Sequence, residues 1–209
     1  LVSLNEKTPQ LYVLVEGWNK QFLKRHFKNT KGNLYAGGAA KDIDRPVEVQ
    51  SGDKPEDRSR LQDLIFASTN ATRRAELLPE VLDVDQFLTF LSMELLTVHW
   101  DGYARNRNNY RVFHNLETDR FVFMPHGLDQ MFGMWRSTPR DSITPMCKGI
   151  VAKAVMSSPA LRSNYLKRAS VLFTNVFDFN SITTRVHELS RRIQPHLARD
   201  LKALAKQSS

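Results

Sequence analysis

The sequence is poor in cysteine and has no long apolar run. Among its 209 residues Cys147 is the one cysteine, so no internal disulfide can form and a small secreted scaffold held by disulfides is excluded. We expect Cys147 to be buried, because it adjoins an apolar run. No stretch reaches the ~18–20 apolar residues of a membrane-spanning helix, and no signal peptide is recognisable.

The start of the chain and its location in the cell remain open questions. Because Leu1–Leu4 already has the character of a strand entering a turn, we expect native sequence to precede Leu1. An export signal could lie in that sequence. Cytoplasmic, cell-surface and extracellular locations are all compatible with the residues present.

A glycine-rich phosphate loop, internal repeats and low-complexity tracts are also missing. What is present is a globular composition, with 41% hydrophobic and 25% charged residues, and a net charge of +8. Such a surface attracts phosphate-bearing partners, nucleotides among them. The charge does not by itself predict nucleic-acid binding, because the chain lacks a recognisable motif or a basic stripe interleaved with aromatic residues.

Hydrophobic periodicity predicts an α+β fold, with short strands followed by a helical body. The predicted helices are one carrying Trp18, Phe22, Leu23 and Phe27, then Pro55–Ser68, Thr72–Leu78, Val84–Val98, Cys147–Ser157, Pro159–Val176 and Ser181–Ala205, with a kink or break near Pro195. The predicted hairpins pair Leu1–Leu4 with Leu11–Val15 and Asn109–Phe113 with Arg120–Met124. Turn residues predict loops at Asn29–Gly38 and Asp42–Arg58.

The densest polar cluster, His99–Tyr110, follows the most regular predicted helix. Packing of the elements on either side would hold this loop rigidly, which suits an active site. Asp101 could orient or deprotonate a hydroxyl group. The amide oxygens of Asn106, Asn108 and Asn109 suit Mg²⁺ or phosphate-bound water, and Arg105 and Arg107 offer charge for phosphate. The same composition is typical of a hydrogen-bonded turn, so local sequence leaves both interpretations open.

A second polar cluster, Met124–Gly133, ends the second predicted hairpin. Antiparallel strands of nearly equal length return the chain to its start, so Asp129 should share one cleft wall with Asp101, and Asn109 should point into that cleft. Two carboxylates and an amide around one cavity suit a hard divalent cation. His126 would flank the site or pack in the turn, and Asp129 could instead cap a turn.

These motifs resemble, in order, those of the CotH kinase-like family over about residues 1–135. The matching segments are Leu11–Glu16, Phe22–Phe27, Gly32–Tyr35, Leu82–Phe87, Trp100–Tyr103, Asn108–Tyr110, Phe123–Pro125 and Asp129–Gly133. The resemblance implies an atypical protein-kinase fold. Residues 1–80 would form part of the N-lobe and hinge, without its upstream strands. Residues 81–209 would form a mainly helical catalytic lobe with the hairpin 109–124 inserted.

The resemblance also implies a reaction, the transfer of phosphate from ATP to a protein Ser or Thr hydroxyl with Mg²⁺ or Mn²⁺. Asp101 matches the catalytic-loop aspartate, Asn109 an asparagine that holds metal or phosphate, and Asp129 a metal ligand. The remaining nucleotide contacts would be Arg105, Asn106 and, at a hinge that holds adenine, Glu16.

Two features depart from the family pattern. Many members carry two acids in a Pro-Trp-Asp-Leu-Asp arrangement, but this chain has Gly127 at the first acidic position. If that acid is the metal ligand, the chain is an inactive kinase-like module that binds a partner; if the second is, Asp129 suffices. We favour Asp129, which stands beside Phe132-Gly133. The family's upstream strands, which carry basic phosphate contacts, are also missing, so we expect this chain alone to bind nucleotide weakly.

Overall fold

The computed structural model describes residues 2–5, 9–38, 40–52, 54, 56–133, 135 and 137–207, with side chains described as far as residue 197. The chain divides into two compact units, Trp18–Thr174 and a second made of Leu1–Gly17 with Asn175–Ser209. The helices are α1 Lys20–His26, α2 Ser59–Thr69, α3 Arg74–Val81, α4 Val84–Leu96, α5 Tyr103–Asn106, α6 Ile150–Ser157, α7 Pro159–Asn175 and α8 Phe179–Gln207. The strands are β1 Leu34–Gly37, β2 Glu48–Ser51, β3 Tyr110–Asn115 and β4 Arg120–Pro125.

The four strands form one antiparallel sheet in the order β2-β1-β3-β4. The predicted hairpin is confirmed as β3–β4, in a register that places Tyr110 opposite Pro125 and Asn115 opposite Arg120. Helices and sheet together confirm the α+β class. The sheet joins β1, from the first predicted lobe, to β3, from the second, and the division at residue 80 stays a prediction.

Side chains alternate between the two faces of the sheet, as extended strands require. One face packs Tyr110, Val112 and Phe123 into a core shared with α2, α3, α4 and α6. The other face packs Phe113 and its neighbours against α1, where the Phe27 and Phe113 ring centroids are 4.8 Å apart. The hairpin is therefore fixed from both sides, and the loops at its open end start from a rigid base.

Helix α4 forms as predicted because Asp83 caps it and an apolar stripe buries it. The Asp83 side chain accepts the Gln86 N–H, as an N-cap does. At this end the backbone N–H of Asp83 also donates to the carbonyl of Phe121 in β4, at 2.9 Å. The buried stripe includes Phe87, Leu91 and Leu95. Helix α4 therefore carries the polar loop that follows it at a fixed distance from β4.

Several predicted elements are wrong. Strands β1 and β2 lie in segments predicted as loops, because pairing with β3 and β1, rather than local pattern, makes them extended. The Val2–Gln10 bridge forms, but Leu11–Val15 is not a strand, and Leu14 is 99% exposed. Helix α8 runs through Pro195 without the predicted break. Leu1 and Pro55, which start two predicted elements, lie outside the described residues.

Helix α8 is amphipathic, and its apolar side chains are exposed. This stripe consists of Phe179, Ile182, Val186, Leu189, Ile193 and Leu197. Within the described part of the chain, no helix combines the length and apolar character needed to cross a bilayer.

Candidate functional site

The predicted polar loop lies between α4 and β3 and turns sharply several times. Val98, Arg107 and Asn109 have positive φ angles of 54°, 56° and 52°. Asparagine tolerates this left-handed conformation better than most residues, but valine and arginine do not favour it. The short helix α5 lies inside the loop, and its end is stabilised by the Arg107 N–H, which donates to the Tyr103 carbonyl.

The Asp101 carboxylate is held by three asparagine side chains, which we call the amide triad (Asn106, Asn108 and Asn109). Asn106 Nδ2 donates to Asp101 Oδ1 at 2.6 Å. Asn108 and Asn109 donate to Oδ2 at 3.0 and 2.9 Å. Asp101 is only 9% exposed. A nearly buried carboxylate that accepts hydrogen bonds from three neutral amides has one fixed orientation.

Glu94, near the end of α4, fixes the loop from below. Its two carboxylate oxygens accept the backbone N–H groups of Tyr103 and Ala104, at 2.8 and 2.9 Å, at the start of α5. Burial raises the pKa of Glu94 to about 8, although these two hydrogen bonds lower it. Gly102 leaves room for this contact, since a β-carbon there would stand 2.5 Å from Glu94 Oε1.

A second buried carboxylate, Asp42, joins the same loop to α6. Its oxygens accept the backbone N–H groups of Ile43 and Ile150, both at 2.7 Å, and the hydroxyl of Tyr103 at 3.1 Å. The Tyr103 oxygen in turn accepts the Val151 N–H at 3.0 Å. Burial raises the pKa of Asp42. An anion at the first turn of α6 also interacts favourably with the helix dipole.

The hairpin returns the chain to this loop, as predicted. The backbone N–H of His126 donates to the Asn109 carbonyl at 2.9 Å, and His99 Nε2 hydrogen-bonds the Gly127 carbonyl at 3.1 Å. Gly127 has φ +56°, and Asn109 Oδ1 lies 2.4 Å from where a β-carbon on it would stand. Asn109 therefore fills the space between Asp101 and Gly127.

Asp129 follows in a single 3₁₀ turn, Leu128–Gln130, and is exposed. Burial lowers the pKa of His99, while the Gly127 hydrogen bond and the charges of Asp101 and Asp129 raise it. Both carboxylates thus act on one imidazole, and neither forms an ion pair with a described residue. Their sharing of a metal stays a prediction.

The carboxylate and amide oxygens around Asp101 and Asp129 meet one requirement of a Mg²⁺ site, which is a small number of oxygen ligands from the protein. Within the described residues no three His, Cys, Asp or Glu side chains converge as a metal site. Mg²⁺ keeps several waters and needs only one or two carboxylates. Asp129, with an amide oxygen of the triad, would meet that requirement.

A polar cavity of about 380 Å³ opens beside the amide triad. Two members of the triad, Asn108 and Asn109, line this cavity. Its charged and titratable lining residues are Lys41, Glu48, Arg111 and His126. His126 accepts a hydrogen bond from Trp18 Nε1 on its Nδ1 atom at 3.0 Å. The predicted flanking position of His126 agrees with this geometry.

Two predicted nucleotide contacts are placed differently from the rest. Arg105 forms an ion pair with Asp141, with both side chains mostly buried, so its charge is already compensated. Glu16 is exposed, lies in the unit containing Leu1–Gly17, and follows residues that form no strand. The structure brings Asn106 and Asn109 to Asp101, and the roles of all four residues stay predictions.

Sequence reasoning did not single out Glu94 or Asp42, and it placed His99 in the polar cluster without its contact to Gly127. Glu94 falls on the apolar face of α4, and an acid among apolar residues at helical spacing could have identified it. His99 is separated from its Gly127 partner by 28 positions. Asp42 stands in a segment predicted as a loop, so no local signal indicated its contact with Tyr103.

Comparison with known proteins agrees with the motif order. The chain matches the family described as CotH kinase protein over residues 1–208. It therefore belongs to that family, whose members are kinase-like.

Curated relatives in the family include fungal and bacterial proteins. Invasin CotH7 of Rhizopus delemar is 25% identical over 202 residues, covering 88% of this chain and 33% of its own length. Invasin CotH2 of the same organism is 25% identical over 144 residues, 62% of this chain and 23% of its own length. Inner spore coat protein H of Bacillus subtilis is 24% identical, covering 95% of this chain and 59% of its own length. The chain thus spans a quarter to a third of the invasins and somewhat more than half of the bacterial protein.

Proposed function

We propose that this chain transfers the γ-phosphoryl group of ATP to a Ser or Thr hydroxyl of a protein, with Mg²⁺ or Mn²⁺. The observation that carries the proposal is the oriented Asp101 carboxylate, held by the amide triad next to a second carboxylate, Asp129, that is exposed and unpaired among the described residues. Phosphoryl transfer depends mostly on positioning and charge, which such an arrangement can supply.

Each residue has a separate task in this proposal. Asp101 accepts a hydrogen bond from the acceptor hydroxyl and aligns its oxygen for attack. Asp129 and Asn109 would hold the divalent ion, which when bound neutralises charge on the phosphates. Glu94 and Asp42 keep the loop in place from beneath.

The test compares phosphate transfer from radiolabelled ATP by the wild type and by Asp129→Ala. The Asp129 carboxylate forms no hydrogen bond or ion pair with described residues, so its loss should not affect folding. We expect transfer to fall by at least ~10²-fold, the scale of lost charge stabilisation in a transition state. Glu80→Ala, which removes an exposed carboxylate on α3, should leave transfer unchanged. Equal transfer by both variants would refute the role of Asp129.

A second candidate is an inactive kinase-like module that binds a partner. Two observations favour it: Gly127 stands where many family members carry an acid, and two relatives are named as invasins rather than as kinases. Calorimetry separates the candidates. Metal-dependent ATP binding that Asp129→Ala abolishes supports the enzyme, whereas partner binding that is insensitive to this change supports the module.

A further inference from the structure

We infer that the cavity beside the amide triad binds a phosphate group through Lys41, Arg111 and His126. The inference deepens the proposed transfer reaction and rests on it for the source of the phosphate, either the donor nucleotide or the phosphorylated acceptor. The cavity of about 380 Å³ is larger than a phosphate alone. Small-molecule pockets are typically ~300–1,000 Å³, so the rest of a ligand also has room.

The charges around the cavity favour an anion. Lys41 and Arg111 contribute two positive charges, and Glu48 contributes the one carboxylate among the lining residues. Glu48 is an exposed residue of the edge strand β2 and accepts a hydrogen bond from Gln50 at 2.7 Å. The Glu48 carboxylate is thus exposed to solvent and already accepts a hydrogen bond from an amide. The two positive charges of Lys41 and Arg111 outnumber its single negative charge.

Arg111 is the central residue of this argument. Its guanidinium is half-buried, donates to the Tyr110 carbonyl at 3.1 Å, and has no carboxylate within ion-pair distance in the described part of the chain. Burial lowers the pKa of Arg111, which Glu48 raises from a longer distance. A partly desolvated cation without a partner is unfavourable, and a bound phosphate would offset that cost with bidentate hydrogen bonds.

His126 adds a donor of fixed tautomer. Because the Trp18 indole N–H donates to Nδ1, the neutral imidazole carries its proton on Nε2. The ring therefore supplies an N–H donor to a cavity whose charge comes from Lys41 and Arg111.

The position of the cavity connects it with the reaction. Asn108 and Asn109 line it and also donate to Asp101 Oδ2, so one layer of amide side chains separates a bound phosphate from the orienting carboxylate. Gly37 and Gly38 also line the cavity, and a β-carbon on Gly38 would stand 3.6 Å from Asn108 Oδ1. Arg105, which is paired with Asp141, is not a lining residue.

The experiment is a heteronuclear NMR titration of the purified protein with inorganic phosphate at constant ionic strength, with sodium chloride as the matched titrant. The signals followed are the His126 imidazole and the Asn108 and Asn109 side-chain amides. We expect saturable shifts with phosphate alone, about tenfold weaker binding in Arg111→Gln, and only partial recovery of the affinity in Arg111→Lys, which restores the charge but not the bidentate hydrogen bonds. Arg120→Gln, at the far end of the same hairpin, should bind like the wild type.

Two further titrations identify the source of the phosphate. If Arg111→Gln weakens binding of Mg-ATP but not of a phosphoserine peptide, the site holds the donor nucleotide; the opposite result assigns it to the acceptor. Either result supports the inference. The absence of saturable shifts in the wild type, or equal phosphate binding by Arg111→Gln and Arg120→Gln, would overturn it.

Failure of the site and failure of the reaction give different results. Transfer that depends on Asp129 together with phosphate binding that ignores Arg111 rejects the cavity site and leaves the reaction standing. Arg111-dependent phosphate binding without any transfer rejects the reaction and leaves the cavity site standing.

Discussion

The Asn109 amide oxygen lies 2.4 Å from the position that a β-carbon on Gly127 would occupy, so Asn109 can hold this position only because residue 127 has no side chain. Gly127 also has φ +56°, a conformation that costs other L-residues roughly 1–3 kcal/mol. Gly127, where the chain departs from the family pattern, therefore affects the amide triad directly. A substitution of Gly127 should therefore lower the stability of the protein and disturb the orientation of Asp101.

Gly127→Ala should lower the free energy of unfolding by about 1–3 kcal/mol and displace Asn109 from Asp101, with a loss of phosphate transfer. Denaturant unfolding and the transfer assay measure the two effects. Gly38→Ala is the matched control, because its β-carbon would make only ordinary contact with Asn108 at 3.6 Å. Equal stability of the two variants would show that Asn109 can move aside without cost.

Tyr103→Phe should destabilise the protein by about 1–3 kcal/mol, because the Val151 N–H in the core loses its acceptor. The change keeps the aromatic ring, which is 0% exposed, so little apolar packing is lost. Urea unfolding of the variant measures the effect. Tyr12→Phe, at an exposed tyrosine, should change stability by less than ~0.5 kcal/mol.

Glu94 should make stability depend on pH. Its pKa is raised from 4.5 to about 8 in the folded protein, so between these pH values the folded state holds a proton that the unfolded state has released. The free energy of unfolding should therefore fall as pH rises through this window, by at most ~1.4 kcal/mol per pH unit.

The measurement is a series of denaturant unfolding curves across that pH range. Glu94→Gln removes the titrating group, so the decline with pH should become shallower than in the wild type. Glu80→Gln, an exposed glutamate on α3, should keep the wild-type slope. An unchanged slope in Glu94→Gln would show that another group is responsible.

Arg105→Gln should lower the free energy of unfolding without lowering the affinity for nucleotide. The change breaks the ion pair with Asp141, whose side chains are 17% and 23% exposed, and we expect a loss of about 1 kcal/mol. Thermal unfolding and an Mg-ATP titration of the same sample measure both quantities. A clear loss of ATP affinity would instead support the phosphate contact expected from the sequence.

The elements that sequence predicted best are those specified by local signals. Helix α4 has a capping aspartate and a full apolar stripe, and it was placed to within two residues at its end. The β3–β4 hairpin has alternating residues around a polar turn. Strand β2 is exposed throughout, so only its pairing with β1 makes it a strand. Local signals failed wherever the stabilising contact is distant in sequence.

The same distinction applies to the candidate site. Asp101 and its asparagines lie within nine consecutive positions, so the sequence alone identified them as candidates, and their roles stay predictions. Their supports were not found, because Asp42 reaches Tyr103 across 61 positions and His99 reaches Gly127 across 28. A carboxylate such as Glu94 on an apolar helix face gives a signal only when burial is known.

The hydrogen bonds at the two ends of α4 have a consequence for how such proteins can diversify. Asp83 is hydrogen-bonded to Phe121, and His99 is hydrogen-bonded to Gly127. Within residues 83–127, helix α4 and the loop after it are therefore linked to the hairpin at both ends of the helix. Insertions outside that segment need not disturb the orientation of Asp101 where they leave Asp42 in contact with Tyr103 and the start of α6. Lys41, in contrast, lies outside residues 83–127. Ligand preference could therefore change through substitutions at Lys41 while the geometry around Asp101 is inherited intact.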